Sequence, residues 1–335
     1  MRRRLPHPAR PLGRARTVLA LAAAAAIALA IGCGGSSAEA KPRFFAPTSF
    51  WNAPIPASAA IAPDSRSLVA DLVRQVDDTD PWMNTDQYST AIITAGPKVK
   101  RVRVRQTQGH PIAPIRTAFR SVPIPPGAKP APGTDGHAVI WQPSTDTMWE
   151  FWQLRREGSG WAAAWGARIT KVSRSDGVIP YPAGATASGL PLAGGLVTVA
   201  DVRAGRIDHA LALAIPQPRR AVFSPPANRT DGWLDSEVAI PMGTRLRLDP
   251  SVNVAALKAP RIVKMLALAA QKYGIVLRDT SGAVTFYGQE VRGSGNPFPA
   301  LLGSNPAKTL RSFPWDRLQV LQAPRRCCWN VGSLR

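Results

Sequence analysis

The chain has 335 residues, of which 45% are hydrophobic, and a formal net charge of +21 at pH 7. This length accommodates one large domain or two small ones with a substantial core. Three cysteines without a CxxC pair exclude a disulfide framework and a zinc site of the usual spacing. The sequence also lacks GxSxG, P-loop, GxGxxG and HExxH motifs, which removes support for the corresponding enzyme classes.

The basic charge extends beyond the N-terminal region. Six arginines and Glu39 lie in the first 40 residues, so the rest of the chain has 36 basic and 20 acidic residues, about +16 in net charge. Such an excess attracts polyanions, namely acidic polysaccharide, wall polymer, anionic lipid or nucleic acid. The arginines are scattered along the sequence, however, which also fits the composition of a GC-rich genome without a dedicated polyanion site.

The first forty residues have the layout of a bacterial export signal. An arginine-rich segment is followed by an uncharged run from Thr17 to Gly32, then by Cys33 and a Gly-Gly-Ser-Ser stretch. The apolar run is short for a membrane-spanning helix, and the positive charge ahead of it is retained on the inner side. The sequence therefore predicts export, with residues 1–40 serving as signal and tether.

Two processing routes fit this signal. Ala30-Ile31-Gly32-Cys33 resembles the lipobox of bacterial lipoproteins, in which the cysteine is acylated and becomes the new N-terminus. The departure is Ala30, where lipoproteins usually have leucine; here Leu29 lies one position earlier. Alternatively, Ala38-Glu39-Ala40 is a small-x-small site whose cleavage releases a chain beginning at Lys41. We predict lipidation at Cys33, and the two routes give a membrane-anchored lipoprotein or a secreted protein.

Residues 41–325 are predicted to form a single domain, followed by a C-terminal tail at 326–335. After a strap rich in proline and aromatic residues, Pro63-Asp64-Ser65 begins a helix whose apolar residues recur at helical spacing. Short strands follow at 90–94 and 99–105. Further strands are predicted at 135–170 (three strands), 194–199, 207–215 and 239–248.

One long helix is predicted in the second half of the chain, at Ala256–Tyr273, with Gly274 as its stop. Residues 275–279 and 283–287 are expected to pair as a hairpin. Closely spaced strands with few helices predict a mainly β fold. The expected architecture is a single antiparallel β-sandwich or jelly-roll-like domain with one or two peripheral helices.

Half of the ten tryptophans lie within the 25 residues from 141 to 165. Pro143–Asp146 reads as a four-residue turn, so the numbers of opposed residues in this hairpin sum to 289. Val139 then faces Glu150. A second hairpin, closed at 155–160, gives a sum near 315 and places Trp165 opposite Glu150.

Period-two alternation gives this predicted meander two different faces. One face carries His137, Glu150 and four tryptophans, which are Trp141, Trp152, Trp161 and Trp165. Aromatic rings beside a carboxylate and an imidazole commonly bind sugars, because ring faces stack and the titratable groups transfer protons. We therefore predict Glu150 and His137 as catalytic residues and the four tryptophans as substrate-binding residues. Alternatively, a second layer buries this face as core.

Asp208 and His209 are further catalytic candidates. His209 shares a strand face with apolar residues and fits a core histidine, but in a sandwich it would share a concave face with His137. For glycoside hydrolysis by Glu150, the partner carboxylate would be Asp135 or Asp208. For β-elimination, His137 or Tyr181 would be the base, and an arginine would neutralise the uronate.

No metal site is predicted. Asp135, His137, Glu150 and His209 include types of side chain that bind metals, but their spacing in the sequence does not require a metal. The loop at 231–237 carries three carboxylates and Trp233, and it is expected to be a solvated loop, with calcium binding as the alternative.

Three stretches have a family resemblance. They are Asp208-His-Ala-Leu211, the segment 240–249 (IPMGTRLRLD) and the segment 270–280 (AQKYGIVLRDT). Together they resemble an uncharacterised family of bacterial exported proteins. The resemblance implies export and supplies no activity.

The first functional interpretation is an exported envelope protein that acts on polysaccharide, as a hydrolase or a lyase, through the His137, Glu150 and tryptophan face. The alternative is a non-catalytic glycan-binding, wall-binding or structural envelope lipoprotein. The expected partners are polysaccharide or anionic cell-wall polymer, and the membrane through the lipid anchor only if Cys33 is acylated. No specific nucleic acid and no cofactor is expected.

Overall fold

The computed structural model describes residues 44–110, 112–292 and 295–327. The chain divides into two units at Lys41, and all of the described residues belong to the second, Lys41–Arg335. Cys33, both processing sites and Cys328 lie outside the described residues. Within the described ranges, no helix has the length and apolar character that a membrane span requires.

Fifteen strands are formed by the described residues. They are β1 Pro81–Asn84, β2 Ala91–Thr94, β3 Val104–Gln106, β4 Ala138–Gln142, β5 Thr147–Trp152, β6 Arg155–Glu157, β7 Gly160–Ala163, β8 Trp165–Thr170, β9 Leu211–Ile215, β10 Val222–Phe223, β11 Arg245–Leu248, β12 Ile275–Thr280, β13 Val284–Tyr287, β14 Leu318–Val320 and β15 Arg326–Cys327. The α-helices are α1 Ser65–Thr79, α2 Ala113–Phe119, α3 Val199–Ala204, α4 Arg261–Lys272, α5 Phe298–Leu302 and α6 Pro306–Arg311.

The predicted mainly β class is confirmed, but a single sandwich or jelly roll is not. The described residues form four open sheets, in the orders β1-β13-β9-β12-β11-β14, β2-β4-β5-β8, β3-β7-β6 and β10-β15. The largest sheet is mixed rather than antiparallel, because β1 runs parallel to β13 and β9 runs parallel to β12. Parallel neighbours require long crossover connections, which a simple up-and-down sandwich does not contain.

The predicted hairpin between 275–279 and 283–287 is wrong. Strand β9 inserts between its two halves, parallel to β12 and antiparallel to β13. All five residues of β9, the sequence LALAI, are fully buried. An uninterrupted apolar run of this kind is typical of a central strand that is covered on both faces. Its place between β12 and β13 prevents these two strands from pairing with each other.

Strand β12 contains a β-bulge at Arg278. Leu277 pairs with Leu213, and Asp279 pairs with the next residue of β9, Ala214, so that Arg278 is the extra residue. Such bulges reorient the side chains that follow them.

Both predicted helices are present, and the described residues form four further short helices that were not predicted; α3 begins at Val199, the last residue of the strand expected at 194–199. Helix α1 begins at Ser65 as expected. Helix α4 begins at Arg261, five residues later than predicted, because residues 254–256 form a separate 3-10 turn and Pro260 precedes the first helical residue. Its apolar face packs against β9 and β11.

The tryptophan-rich segment follows the first predicted register and departs from the second. Pairs such as Val139 with Glu150 confirm the sum of 289 between β4 and β5. Between β5 and β8 the register is shifted by two residues, so that Trp165 faces Trp152 and Ala167 faces Glu150. The predicted third strand is divided at Ala164 into β7 and β8, which join different sheets.

The β2-β4-β5-β8 sheet has a hydrophobic core on each side. The face that bears Glu150 contributes Val139 and Met148 to the main core. The opposite face contributes Ile140, Trp149 and other residues to a second core, which is covered by α2. The predicted alternation is therefore confirmed, and the face that bears Glu150 is covered by the rest of the domain.

The packing of helix α4 against the large sheet can be tested with two leucines in a single helical turn. Leu266→Ala removes a fully buried side chain and is expected to lower the free energy of unfolding by about 2–5 kcal/mol. Leu268 is 56% exposed, so Leu268→Ala is the matched control, with an expected change of about 0.5 kcal/mol or less. Urea unfolding followed by circular dichroism measures both, and equal losses would contradict the packing of α4.

Candidate functional site

A buried irregular segment lies at the centre of the candidate site. Residues 183–196, which we call the buried loop, lie between β8 and α3 and contain no helix or strand. All of them except Ala187 are buried. At Gly195, where φ is +70°, an added Cβ would lie 2.3 Å from the Ala212 nitrogen of β9. A segment pressed this closely against a sheet has no water for its backbone N–H and C=O groups, so the protein must supply partners.

Glu150 supplies the acceptors for two N–H groups of this segment. Its side chain is fully buried, and it projects from the middle of β5. Oε1 accepts a hydrogen bond from the Ala185 nitrogen at 2.8 Å, and Oε2 accepts one from the Leu192 nitrogen at 2.9 Å. Burial raises the pKa of Glu150 to about 7, although the two N–H groups and nearby arginines favour its charged form.

Two buried arginines supply the donors. Arg229 donates to four carbonyl oxygens between residues 182 and 186, at 2.7–3.0 Å, and burial lowers its pKa to about 10. Nη1 of Arg278 donates to the carbonyls of Leu192 and Gly194 at 2.7 and 2.9 Å. The Arg278 guanidinium also stacks on the Tyr287 ring, 4.1 Å from its centroid. We call Glu150, Arg229 and Arg278 the charged anchors.

His137 reaches the same buried segment. It is buried just before β4, and the backbone of Ala185, the residue that also contacts Glu150, is among the groups that influence its pKa. Burial lowers the pKa of His137 to about 4, against the opposing effect of Asp135, so its imidazole is neutral at pH 7. The structure thus brings His137 and Glu150 together, beneath a buried loop rather than in an open groove.

Only two of the four predicted binding tryptophans lie near this loop. Trp152 and Trp165 are directly opposed in β5 and β8, and both are half-buried. The Trp152 indole N–H donates to Asp135 at 3.3 Å, and that of Trp165 donates to the Pro182 carbonyl at 2.8 Å. Next to Pro182, Tyr181 is 43% exposed.

The other two tryptophans pack elsewhere. Trp141 contacts Phe44 edge-on, with ring centroids 5.6 Å apart. Trp161 belongs to β7 of a different sheet and is buried under the Arg156 guanidinium, which lies 4.6 Å from its ring centroid. The reason is the break at Ala164, which removes Trp161 from the strand that carries Trp165.

A pair of carboxylates completes this region. Oδ1 of Asp279, near the end of β12, accepts hydrogen bonds from the Ala187 and Thr280 nitrogens at 3.3 and 3.1 Å. Asp231 accepts a hydrogen bond from the Thr280 hydroxyl at 2.6 Å. Burial raises the pKa of Asp279 to about 7, and the charge of Asp231 adds to this shift. Asp231 is exposed at the surface, and partial desolvation by its neighbours raises its pKa as well.

Electrostatic interactions connect the carboxylates to the aromatic residues. Arg229 interacts with Glu150, with both aspartates of the pair and with Tyr181. Burial raises the pKa of Tyr287, and the charges of Asp279 and Asp135 raise it further. We define the acid–aromatic site by six residues that surround the buried loop: Asp135, Trp152, Trp165, Tyr181, Asp231 and Asp279.

Asp279 had no predicted role, and Asp231 was expected in a solvated loop, with calcium binding as the alternative. A signal for Asp279 was available, because Arg278-Asp279 directly follows the buried apolar run Ile275-Val-Leu. Two adjacent charges at the end of a buried strand must be paired or functional. Their spatial partners were not predictable, since Glu150 and Asp231 are distant in the sequence.

Asp208 and His209 line a different cavity, of about 200 Å³, whose lining includes neither His137 nor Glu150. Both residues precede β9, which begins at Leu211 rather than at 207 as predicted. The His209 ring nitrogens lie 2.8 Å from the Ala210 carbonyl and 3.3 Å from Asp201. Asp208 pairs with Arg206. The expected concave face shared by His209 and His137 is therefore not formed.

Within the described ranges, no group of three or more His, Cys, Asp or Glu side chains is arranged to hold a metal ion. Comparisons with protein-family models, with curated proteins and with solved structures found no match to this chain.

The role of Glu150 can be tested with an isosteric substitution. Glu150→Gln turns one acceptor into an NH₂ group that faces a backbone N–H, and it is expected to lower the free energy of unfolding by about 1–3 kcal/mol. Glu157→Gln is the control, because Glu157 is exposed and its ion pairs lie at the surface, which predicts little change in stability. Urea unfolding at pH 8 compares the two, and an unaltered Glu150→Gln protein would contradict the anchoring role.

Proposed function

We propose that the chain is an exported glycan hydrolase that uses the acid–aromatic site. The observation that carries the proposal is the carboxylate pair, in which Asp231 and Asp279 both accept a hydrogen bond from Thr280. Glycoside hydrolysis requires one protonated and one ionised carboxyl group. Burial raises the pKa of Asp279 to about 7, which favours such a division of roles.

In this proposal Asp279 is the general acid. Its proton passes to the glycosidic oxygen as the bond from that oxygen to the anomeric carbon breaks, and the leaving sugar departs as an alcohol. Asp231 acts on the opposite side, either by accepting a proton from the attacking water or by attacking the anomeric carbon itself. The separation of the two carboxylates when substrate is bound selects between inversion and retention of configuration.

The aromatic residues would bind the sugar rings. Trp152 and Trp165 are opposed across two strands, and their indole N–H groups are engaged, which fixes the orientation of each ring. Tyr181 extends this surface towards Arg229 and the carboxylate pair. Stacking on pyranose faces requires partly open rings, which these three residues have.

Glu150 and His137 act in this proposal as positioning residues. Both contact Ala185, and the same loop carries the Ala187 N–H that donates to Asp279. A second candidate function is glycan binding without catalysis. It is favoured by the engagement of both Glu150 oxygens, which leaves the originally predicted acid without an open position for substrate.

Substitution of the acid pair separates these two functions. Asp279→Asn and Asp231→Asn are each expected to lower hydrolysis at least about 100-fold while glycan binding is retained. Asp235→Asn, in the same loop and highly exposed, is the control with unchanged rate. In the parent protein the rate should fall as pH rises through about 7, because Asp279 then loses its proton. Reducing-end release from a panel of polysaccharides provides the measurement.

The outcomes of that assay are decisive. Full activity in Asp279→Asn would place the chemistry elsewhere, and binding without product in the parent protein would favour the second candidate. An unsaturated product would indicate β-elimination instead of hydrolysis.

The stacking role predicts a loss of affinity. Trp152→Ala and Trp165→Ala are each expected to weaken glycan binding by about 1–3 kcal/mol, by analogy with the stacking of nucleic-acid bases on aromatic side chains. Trp82→Ala is the matched control, because Trp82 is 41% exposed in β1 and lies outside the acid–aromatic site. Isothermal titration with a glycan that the polysaccharide panel identifies measures all three affinities. Equal effects of the three substitutions would contradict the stacking role of Trp152 and Trp165.

Export also remains a proposal, supported by the arrangement of the first forty residues. Mass spectrometry of the processed protein is expected to show either a diacylglycerol-modified Cys33 or a free Lys41 at the N-terminus. An abundant protein that retains Met1 would contradict both routes.

A further inference from the structure

Exposed positive charge is concentrated in one part of the chain. Between residues 98 and 174 there are thirteen lysines and arginines and only four acidic residues, of which Glu150 is buried. In contrast, residues 44–97 contain two basic and six acidic residues. The thirteen cations are all exposed, and we call them the basic surface: Lys98, Lys100, Arg101, Arg103, Arg105, Arg116, Arg120, Lys129, Arg155, Arg156, Arg168, Lys171 and Arg174.

The fold brings four of these residues, which are distant in sequence, onto neighbouring elements around one helix. Helix α2, which carries Arg116, packs against both β3 and β8. Strand β3 contributes Arg105, and β8 contributes Arg168. Arg105 is paired with Ala162 of β7, which is paired in turn with Arg155 of β6. Three strands and a helix thus display arginines that are distant in sequence.

Little of this charge is neutralised by the protein. Among the ion pairs of the described residues, Glu157 is the only acidic partner of the basic surface, and it serves Arg105 and Arg155. Two other guanidinium groups are held over indole rings, Arg101 over Trp149 and Arg156 over Trp161, at 5.4 and 4.6 Å from the centroids. Crowded like charges repel one another, so the surface attracts an anionic partner.

The basic surface adjoins the acid–aromatic site along the chain. Trp152 ends β5, and Arg155 begins β6 three residues later. Trp165 begins β8, the strand that also carries Arg168. Arg168 lies on the side of this sheet that α2 covers, because it is paired with Trp149, so the basic surface continues from the strands that carry the two tryptophans.

We propose that the basic surface binds an anionic polysaccharide, so that the substrate class of the proposed hydrolase is a glycan bearing carboxylate or sulfate groups. This inference rests on the proposed function for the position of the sugar chain. Arginines outnumber lysines in the surface by nine to four, and guanidinium groups bind planar oxyanions in bidentate fashion. The neighbouring stacking rings favour a sugar polymer over a lipid headgroup.

Binding to matched charged and neutral polymers tests the proposal without requiring turnover. The probes are polygalacturonate, its neutral methyl ester, dextran sulfate and dextran, titrated against the processed protein. We expect at least tenfold tighter binding of each charged polymer than of its neutral counterpart. Affinity for the charged polymers should fall about tenfold or more between 50 and 200 mM NaCl, as expected when several ion contacts release counterions. Comparison of the carboxylated and sulfated probes distinguishes the two anion types.

Two triple variants locate the surface. Arg103→Gln/Arg116→Gln/Arg168→Gln is expected to weaken polygalacturonate binding at least tenfold and to leave binding of the methyl ester unchanged. The control, Arg203→Gln/Lys258→Gln/Arg261→Gln, removes the same charge from exposed positions outside the surface and should leave both affinities unchanged. Urea unfolding midpoints establish that each variant is folded.

Several results would overturn the proposal. They are equal losses in both triple variants, equal affinity for charged and neutral polymers, or tighter binding of duplex DNA or of phosphatidylserine vesicles that the first triple variant abolishes. Failure of the proposed hydrolase gives a different result, since polyanion binding by the basic surface would persist while no product is released. Hydrolysis of neutral glycans at an undiminished rate, without polyanion binding, would contradict this inference and leave the acid pair intact.

Discussion

The domain depends on the pairing of three buried charges with an irregular stretch of backbone. Glu150, Arg229 and Arg278 together make eight hydrogen bonds to backbone groups of residues 182–194. Each such group would cost about 1–3 kcal/mol if it were buried without a partner. Carboxylate oxygens accept from N–H groups and guanidinium groups donate to carbonyls, so these eight backbone groups have partners within the protein. The large mixed sheet and the smaller tryptophan-rich sheet both pack around this loop, and the charged anchors come from both sheets and from the loop at 229.

The same pairing links the interior to the candidate site. The carbonyl of Pro182, just before the buried loop, accepts a hydrogen bond from the Trp165 indole. Within the loop, the Ala187 N–H donates to Asp279. The aromatic and acidic parts of the site are therefore held by one segment, and that segment is held by buried charges. Replacing buried ion pairs by well-packed apolar residues often leaves the stability of a protein unchanged or raises it. Removing only one partner of such a pair is costly. Their presence here is better explained by the positions they impose on the loop than by the energy they contribute.

Local chemistry made part of this structure predictable from sequence. The turn at Pro143–Asp146 determined the register of β4 and β5, and the caps and apolar spacing located α1 and most of α4. The features that failed depend on distant segments. Strand β9 separates β12 from β13 because a central position buries its apolar run, and no short-range signal reports that insertion. Glu150 and His137 were correctly placed near one another, but the loop that covers them lies more than thirty residues away in the sequence. Asp279 gained its environment from Asp231 and Ala187, neither of which is a neighbour in the chain.

The bulge at Arg278 has a topological consequence for the acid pair. In a regular strand, residues 277 and 279 would share one face, and the Asp279 carboxylate would enter the main core beside Leu277 and Leu213. The extra residue inverts the alternation after Leu277, so that Asp279 shares the face of Ala212 and Ala214 and approaches Tyr287 instead. The face on which the Asp279 carboxylate lies therefore depends on the number of residues in β12. A family of such proteins would tolerate length changes in surface loops far more readily than the gain or loss of a single residue in β12.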